Sequence, residues 1–130
     1  MAIDLDAYTP KMKAALKKGG YACVFIASVD GGQPCRVGYA TDLGGAVQRL
    51  RRTSPVALSV EDVMWVPDRG IATMIAQAVA AAVYPHKTTG GWVDLPADKV
   101  AGEVHLTTFR LYPNASTLPH NQLIAKWSRS

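Results

Sequence analysis

Histidine and cysteine are scarce in this 130-residue chain, which has three of the first and two of the second. His86, His105 and His120 stand far apart, and neither Cys23 nor Cys35 has the close paired spacing of a zinc ligand, so no metal site is expected from them. A disulfide is not expected either. A hairpin turn at Asp30-Gly31-Gly32 would leave the two cysteines out of register with each other. Long apolar runs are also missing: the longest, "IATMIAQAVAAAVY", is broken by Gln77 and dominated by alanine, too weak for a membrane span. The first 20 residues carry lysines and no apolar block, which argues against a secretory signal. These absences predict a reduced, cytoplasmic protein with no cofactor and no membrane association. The length predicts one domain, enough for a core but not for two.

Acidic residues are outnumbered, 10 against 14 lysines and arginines, and the surplus is unevenly placed. Lys11, Lys13, Lys17 and Lys18 crowd the first 20 residues against Asp4 and Asp6. Arg36, Arg49, Arg51 and Arg52 face only Asp42 in the next basic stretch, and Arg110, Lys126 and Arg129 close the chain without an acid. Glu61, Asp62, Asp68, Asp94, Asp98 and Glu103 gather between them. Segregation of this kind favours an anionic partner.

Turn and cap chemistry divides the chain. Thr9-Pro10 starts a helix and Gly19-Gly20 stops it, with Met12, Ala15 and Leu16 inward and the lysines in water. "YACVFIAS" (21–28) reads as a buried strand, "VDGGQP" as a hairpin turn and "CRVGYA" (35–40) as the return strand. Asp42 caps a helix with apolar Leu43, Ala46, Val47 and Leu50, and Ser54-Pro55 ends it. "VALSVEDVMWV" (56–66) is a third strand, with Glu61-Asp62 at a bend or edge. Asp68 caps the next helix, whose stripe runs through Ile71, Met74, Ile75, Ala78, Val79 and Ala82. After the "HKTTGG" loop and the extended "WVDLP", a helix starts at Ala97 and passes through Val100 and Val104. The order predicts an α+β fold: a three-stranded antiparallel sheet flanked by helices, with an extra N-terminal helix. Residues 1–112 form the domain and 113–130 a C-terminal tail.

Four stretches, in order, resemble the GIY-YIG nuclease superfamily in its compact phage-related and bacterial form. "GYACVFIAS" stands where the first signature strand would be, and "RVGYATDL" is similar to that group's K-I-G-x-T-x-D segment, with Arg36 and Gly38 for its Lys and Gly. "LRRTSPVALSV" matches a helix end entering the third strand, and "GGWVDLP" resembles the closing Glu-Trp-Phe block, keeping Trp92. The resemblance covers residues 20–104. It implies a tyrosine near the attacked phosphate, an arginine against its charge and a glutamate holding one divalent metal. Those positions fall on Phe25 (or Cys23), on Ala46, and near Ala76 or Gln77; a histidine that often follows falls on Ala80 or Ala81. None supplies the expected group.

The resemblance therefore implies a nuclease scaffold without its catalytic side chains, able to bind what it no longer cuts. Duplex DNA is the expected partner, through Arg36, Arg49, Arg51 and Arg52, with Lys11, Lys13, Lys17 and Lys18 as secondary contacts. Two alternatives stay open. One is a protein-binding adaptor or inhibitor using the alanine-rich helix or Leu123, Ile124 and Trp127 in the tail. The other is a metal-dependent endonuclease rebuilt on Tyr21, Tyr39 and the Glu61/Asp62 pair. Trp92 is either core or a stacking surface for a base, His86 and Lys87 form a polar lip or an ordinary loop, and Gly44-Gly45 marks either a close approach or a distorted first turn.

Overall fold

A computed structural model of the chain describes residues 3, 9–29, 32–54 and 56–128, and the backbone alone at 89 and 126–128. Asp4, Asp6, Asp30, Gly31, Pro55, Arg129 and the side chains of Lys126 and Trp127, all used above, lie outside the described residues.

Helix α1 (Pro10–Lys18) begins as its caps require. The Thr9 hydroxyl accepts the Met12 N–H at 3.3 Å, and Pro10 sits in the first turn, where a missing N–H leaves nothing unpaired. Gly20 follows the helix at φ +75° and turns the chain into the sheet. Met12 and Leu16 are buried, but Ala15 is exposed, because the helix meets its neighbours along a stripe only two residues long.

Strands β1 (Ala22–Val29), β2 (Cys35–Ala40) and β3 (Leu58–Val66) form an antiparallel sheet with β1 in the centre. A fourth strand, β4 (Leu118–Pro119), adds to β3 opposite Met64 and Trp65, giving the order β2-β1-β3-β4. The expected three-stranded sheet is thus four-stranded. A two-residue proline-containing strand carries too little alternation to be read from sequence.

Alternation along β1 sorts the core into two layers. Val24 and Ile26 point to α3 (Arg69–Ala82) and α4 (Ala97–Leu111), while Cys23, Phe25 and Ala27 point to α1, α2 (Leu43–Thr53) and the segment around Leu123. Cys35 belongs to the first layer and Cys23 to the second, so the two free thiols are separated by the sheet.

In β3 the pairing slips between Ile26 and Ala27: Ile26 faces Asp62, and Ala27 faces Val60. Glu61 is the extra residue, and the bulge lets Val60 and Val63, three apart, face the same layer. The bend expected at Glu61-Asp62 is this bulge.

Asp42 caps α2 by accepting the Gly45 N–H at 3.2 Å, and Asp68 caps α3 through the Gly70 N–H. On α3 the buried face is Ala72, Ile75, Ala76 and Val79; Met74 and Ala82 are exposed. The stripe is one position further along than expected. A helix of alanines has a shallow apolar gradient, and the sheet and α4 take the face whose small residues allow close approach.

Described residues beyond Pro113 pack back on the sheet. After β4, helix α5 (His120–Ser128) buries His120 and Leu123 against the second layer, and Ile124 packs partly against it. Leu123, only 2% exposed, is therefore withdrawn from any partner. The physical reason is that the outer edge of β3 and the indole of Trp65 lie under this segment.

Candidate nucleic-acid interface

The site grows from an open sheet edge. In an antiparallel ladder, successive peptide groups face the partner strand and then face away. The Val29 N–H bonds to the Pro34 carbonyl at 3.2 Å, which sets the phase. Arg36, Gly38 and Ala40 exchange bonds with β1, and Cys35, Val37 and Tyr39 turn their peptide groups outward. Cys35 is met by Val93 in both directions, at 2.7 and 3.0 Å. Val37 and Tyr39 face a cleft.

That cleft has a volume of about 560 Å³ and straddles the β2 edge, with α2 on one side and α3 on the other. Helix α2 presents Ala46, Arg49, Leu50 and Thr53 to it, one helical face at i, i+3, i+4 and i+7. Helix α3 presents Ala76, Gln77 and Ala80. Phe25 reaches it beneath Gly38, its Cα partner on β2. A methyl at Gly38 would sit 2.8 Å from the Phe25 Cε1, so glycine is needed there to admit the ring.

The structure thus gathers Phe25, Ala46 and Gln77, which the sequence placed on three separate elements, around one space. With them come Arg36, Arg49 and Tyr39, but among the described residues no carboxylate lines the cleft. Among the described residues, no three of His, Cys, Asp and Glu lie close enough to hold a metal ion.

Arg36 stands between this cleft and a second hollow of about 460 Å³ lined by Trp92, Pro34, Ser54 and Val56, and it also lines a smaller one beside Lys87. Its Nη1 donates to the Gly90 carbonyl at 2.6 Å, and its guanidinium carbon lies 3.5 Å from where a Cβ on Gly91 would be. Gly90 and Gly91 have φ of +70° and +83°, a course that residues with side chains rarely follow. The loop holds one edge of the guanidinium and leaves the remaining donors of its fork for a ligand. Sequence reading flagged Arg36 but missed this strap; the adjacent glycines were the available signal.

The other basic residues are dispersed. Arg51 and Arg52 are exposed on α2 and do not line the cleft: Arg51 is on the opposite side of the helix, and Arg52 lies beyond the Arg49 edge of the lining face. Lys11, Lys17 and Lys18 are exposed on α1. Lys13 is committed to a 2.9 Å ion pair with Asp42. Lys13 first, then the Gly45 N–H and, at longer range, Lys13 and Arg49 charge, hold the Asp42 carboxyl below its ordinary pKa. Gly45 resolves the Gly44-Gly45 question: a Cβ there would lie 2.6 Å from Asp42 Oδ2, so glycine makes room for the capping carboxylate.

The rebuilt-nuclease set does not assemble. Tyr39 lines the cleft, but Tyr21 packs against the second core layer. Glu61 accepts the Ser28 hydroxyl at 2.8 Å, and Asp62 pairs with His105 at 3.2 Å. That contact raises the His105 pKa above its ordinary value.

Comparison with known proteins returns no matching family model, no matching curated protein and no matching solved structure.

Proposed function

We propose that this chain is a non-catalytic nucleic-acid-binding protein, taking duplex DNA, on a GIY-YIG-like scaffold whose catalytic side chains have been replaced. The observation that carries the reading is the meeting of Phe25, Ala46 and Gln77 in one cleft edged by Arg36 and Arg49 and, among the described residues, lined by no acid. Those three positions were chosen by resemblance alone, and a shared scaffold requires that they meet.

The chemistry of the replacements argues for binding without scission. Phe25 has no hydroxyl to place beside a phosphate, Ala46 has no charge to offer, and Gln77 has only a neutral carbonyl where a hard dication prefers anionic oxygen. The arginines remain, and their forked donors suit phosphate oxygens. Arg51, Arg52 and the exposed lysines of α1 add a wider positive field, which strengthens encounter with a polyanion and makes it salt-sensitive.

The test is titration of a labelled blunt duplex at several salt concentrations, with and without magnesium. Retention should fall as salt rises, with a log–log slope of roughly −0.9 per phosphate contacted. The Arg36→Ala/Arg49→Ala pair should flatten that slope by about two such contacts, and the duplex should stay uncut. Magnesium-dependent nicking by the purified chain, or no retention in dilute buffer, would overturn the reading.

A further inference from the structure

We infer that the two hollows on either side of Arg36 form a seat for an unpaired stretch of nucleic acid, about two nucleotides long, with the linking phosphate on Arg36 and one base stacked on Trp92. The inference rests on the nucleic-acid reading above and names the part of the ligand this groove takes.

Shape gives the first argument. The hollows, at about 560 and 460 Å³, are concave and of the size of small-ligand sites. A duplex offers a convex row of phosphates and hides the faces of its bases, so it cannot fill them. An unpaired strand presents flat base faces that stack on aromatic side chains and a backbone that follows a positive groove.

Charge gives the second. Arg36, Arg49 and Lys87 line the three hollows around Arg36, and among the described residues no aspartate or glutamate does. The strap at Gly90 fixes the Arg36 guanidinium in advance, so little side-chain freedom is lost when a phosphate arrives.

Rigidity of the aromatic wall gives the third. Trp92 is half-buried and its carbonyl accepts from both the N–H and the hydroxyl of Thr88, at 2.8 and 3.2 Å. The next residue, Val93, is bonded in both directions to Cys35 on β2. The indole is thus carried on a short loop fastened to the sheet. At the far end, Tyr39 is 41% exposed over the first cleft, available for a second base. The outward N–H and C=O groups of Val37 and Tyr39 lie between the two rings and can meet base edges or phosphate oxygens.

The experiment compares three labelled probes at one salt concentration: a blunt duplex, the same duplex with a four-thymidine overhang, and single-stranded oligothymidine. Tryptophan emission is followed alongside binding, and polyglutamate serves as an acidic peptide control. The overhang should raise affinity about tenfold, the size of one base stack, and should quench emission. Trp92→Leu should abolish both gain and quench while leaving blunt-duplex binding unchanged, and Trp92→Phe should keep part of the gain. Arg36→Lys, which keeps charge but loses the fork, should reduce the overhang gain several-fold.

Equal affinity for blunt and overhang probes would sink this inference and leave the duplex reading standing. Failure of all nucleic-acid probes to bind would sink the duplex reading first and this one with it. Quenching of Trp92 by polyglutamate more strongly than by oligothymidine would assign the groove to an acidic extended peptide and overturn the inference.

Discussion

The indole N–H of Trp65 on β3 donates to Nδ1 of His120 at the start of α5, across 3.2 Å in the buried second layer. This bond ties the last segment of the chain to the sheet 55 residues earlier. It requires the imidazole nitrogen to be unprotonated. Removing the acceptor with His120→Leu should lower stability by about 1–3 kcal/mol, the cost of losing a buried partner, and Trp65→Phe in the same chain should recover part of that loss. Urea denaturation of the single and double variants measures the coupling; purely additive losses would refute it.

The same pair sets a pH dependence. Burial lowers the pKa of His120 below its ordinary value of about 6.5. The unfolded chain therefore binds the proton more readily, so the His120 contribution is full above about pH 6.5 and is lost as pH falls through the folded pKa. His105 works in the opposite sense. Asp62 raises its pKa, so its contribution is present below about pH 6.5 and lost as pH rises through its folded value. The His105 side chain is 47% exposed, which limits its pair to about 1 kcal/mol or less. Stability measured from pH 8 to 5 should fall on the acid side, more gently in His120→Gln and more steeply in His105→Gln. The reverse ordering would contradict the assignment.

Gly38 is a packing residue, since it has an ordinary negative φ and its missing Cβ is what the Phe25 ring occupies. Gly38→Ala should cost about 1–3 kcal/mol through overpacking. A second change, Phe25→Leu, should restore much of that loss by giving the methyl room. If Gly38→Ala is neutral in urea denaturation, the ring does not fill the space assigned to it.

Both cysteines should be unreactive in the native state. Burial pushes the Cys23 thiol up to about 12 and the Cys35 thiol up to about 11, and Cys35 also donates to the Leu95 carbonyl at 3.3 Å. A thiol-specific reagent at pH 8 should find no fast site in the folded chain and both of its cysteines in denaturant. Rapid labelling of either in the native state would show that its layer of the core opens.

Much of this was legible in local chemistry. Thr9-Pro10, Asp42 and Asp68 mark helix starts because a side-chain oxygen next to unpaired N–H groups is a local device. The hairpin and the separation of Cys23 from Cys35 follow from strand periodicity and a short turn. Where the chain carries a weak gradient, as on the alanine-rich α3, the face could not be read, and its neighbours chose it. Where the C-terminal segment packs could not be read, because nothing near Leu118 or His120 in sequence announces Trp65.

By itself, the order of residues determined the caps, the strand pair, the chemical identity of Phe25, Ala46 and Gln77, and the surplus of positive charge, since each depends on neighbours a few positions apart. Only the tertiary structure decided that those three residues share a cleft, that Arg36 rather than Arg51 or Arg52 stands at its border with the neighbouring hollow, and that Gly90 holds it there. Such relations join residues 21 to 54 positions apart, and they exist only once the sheet and helices have packed.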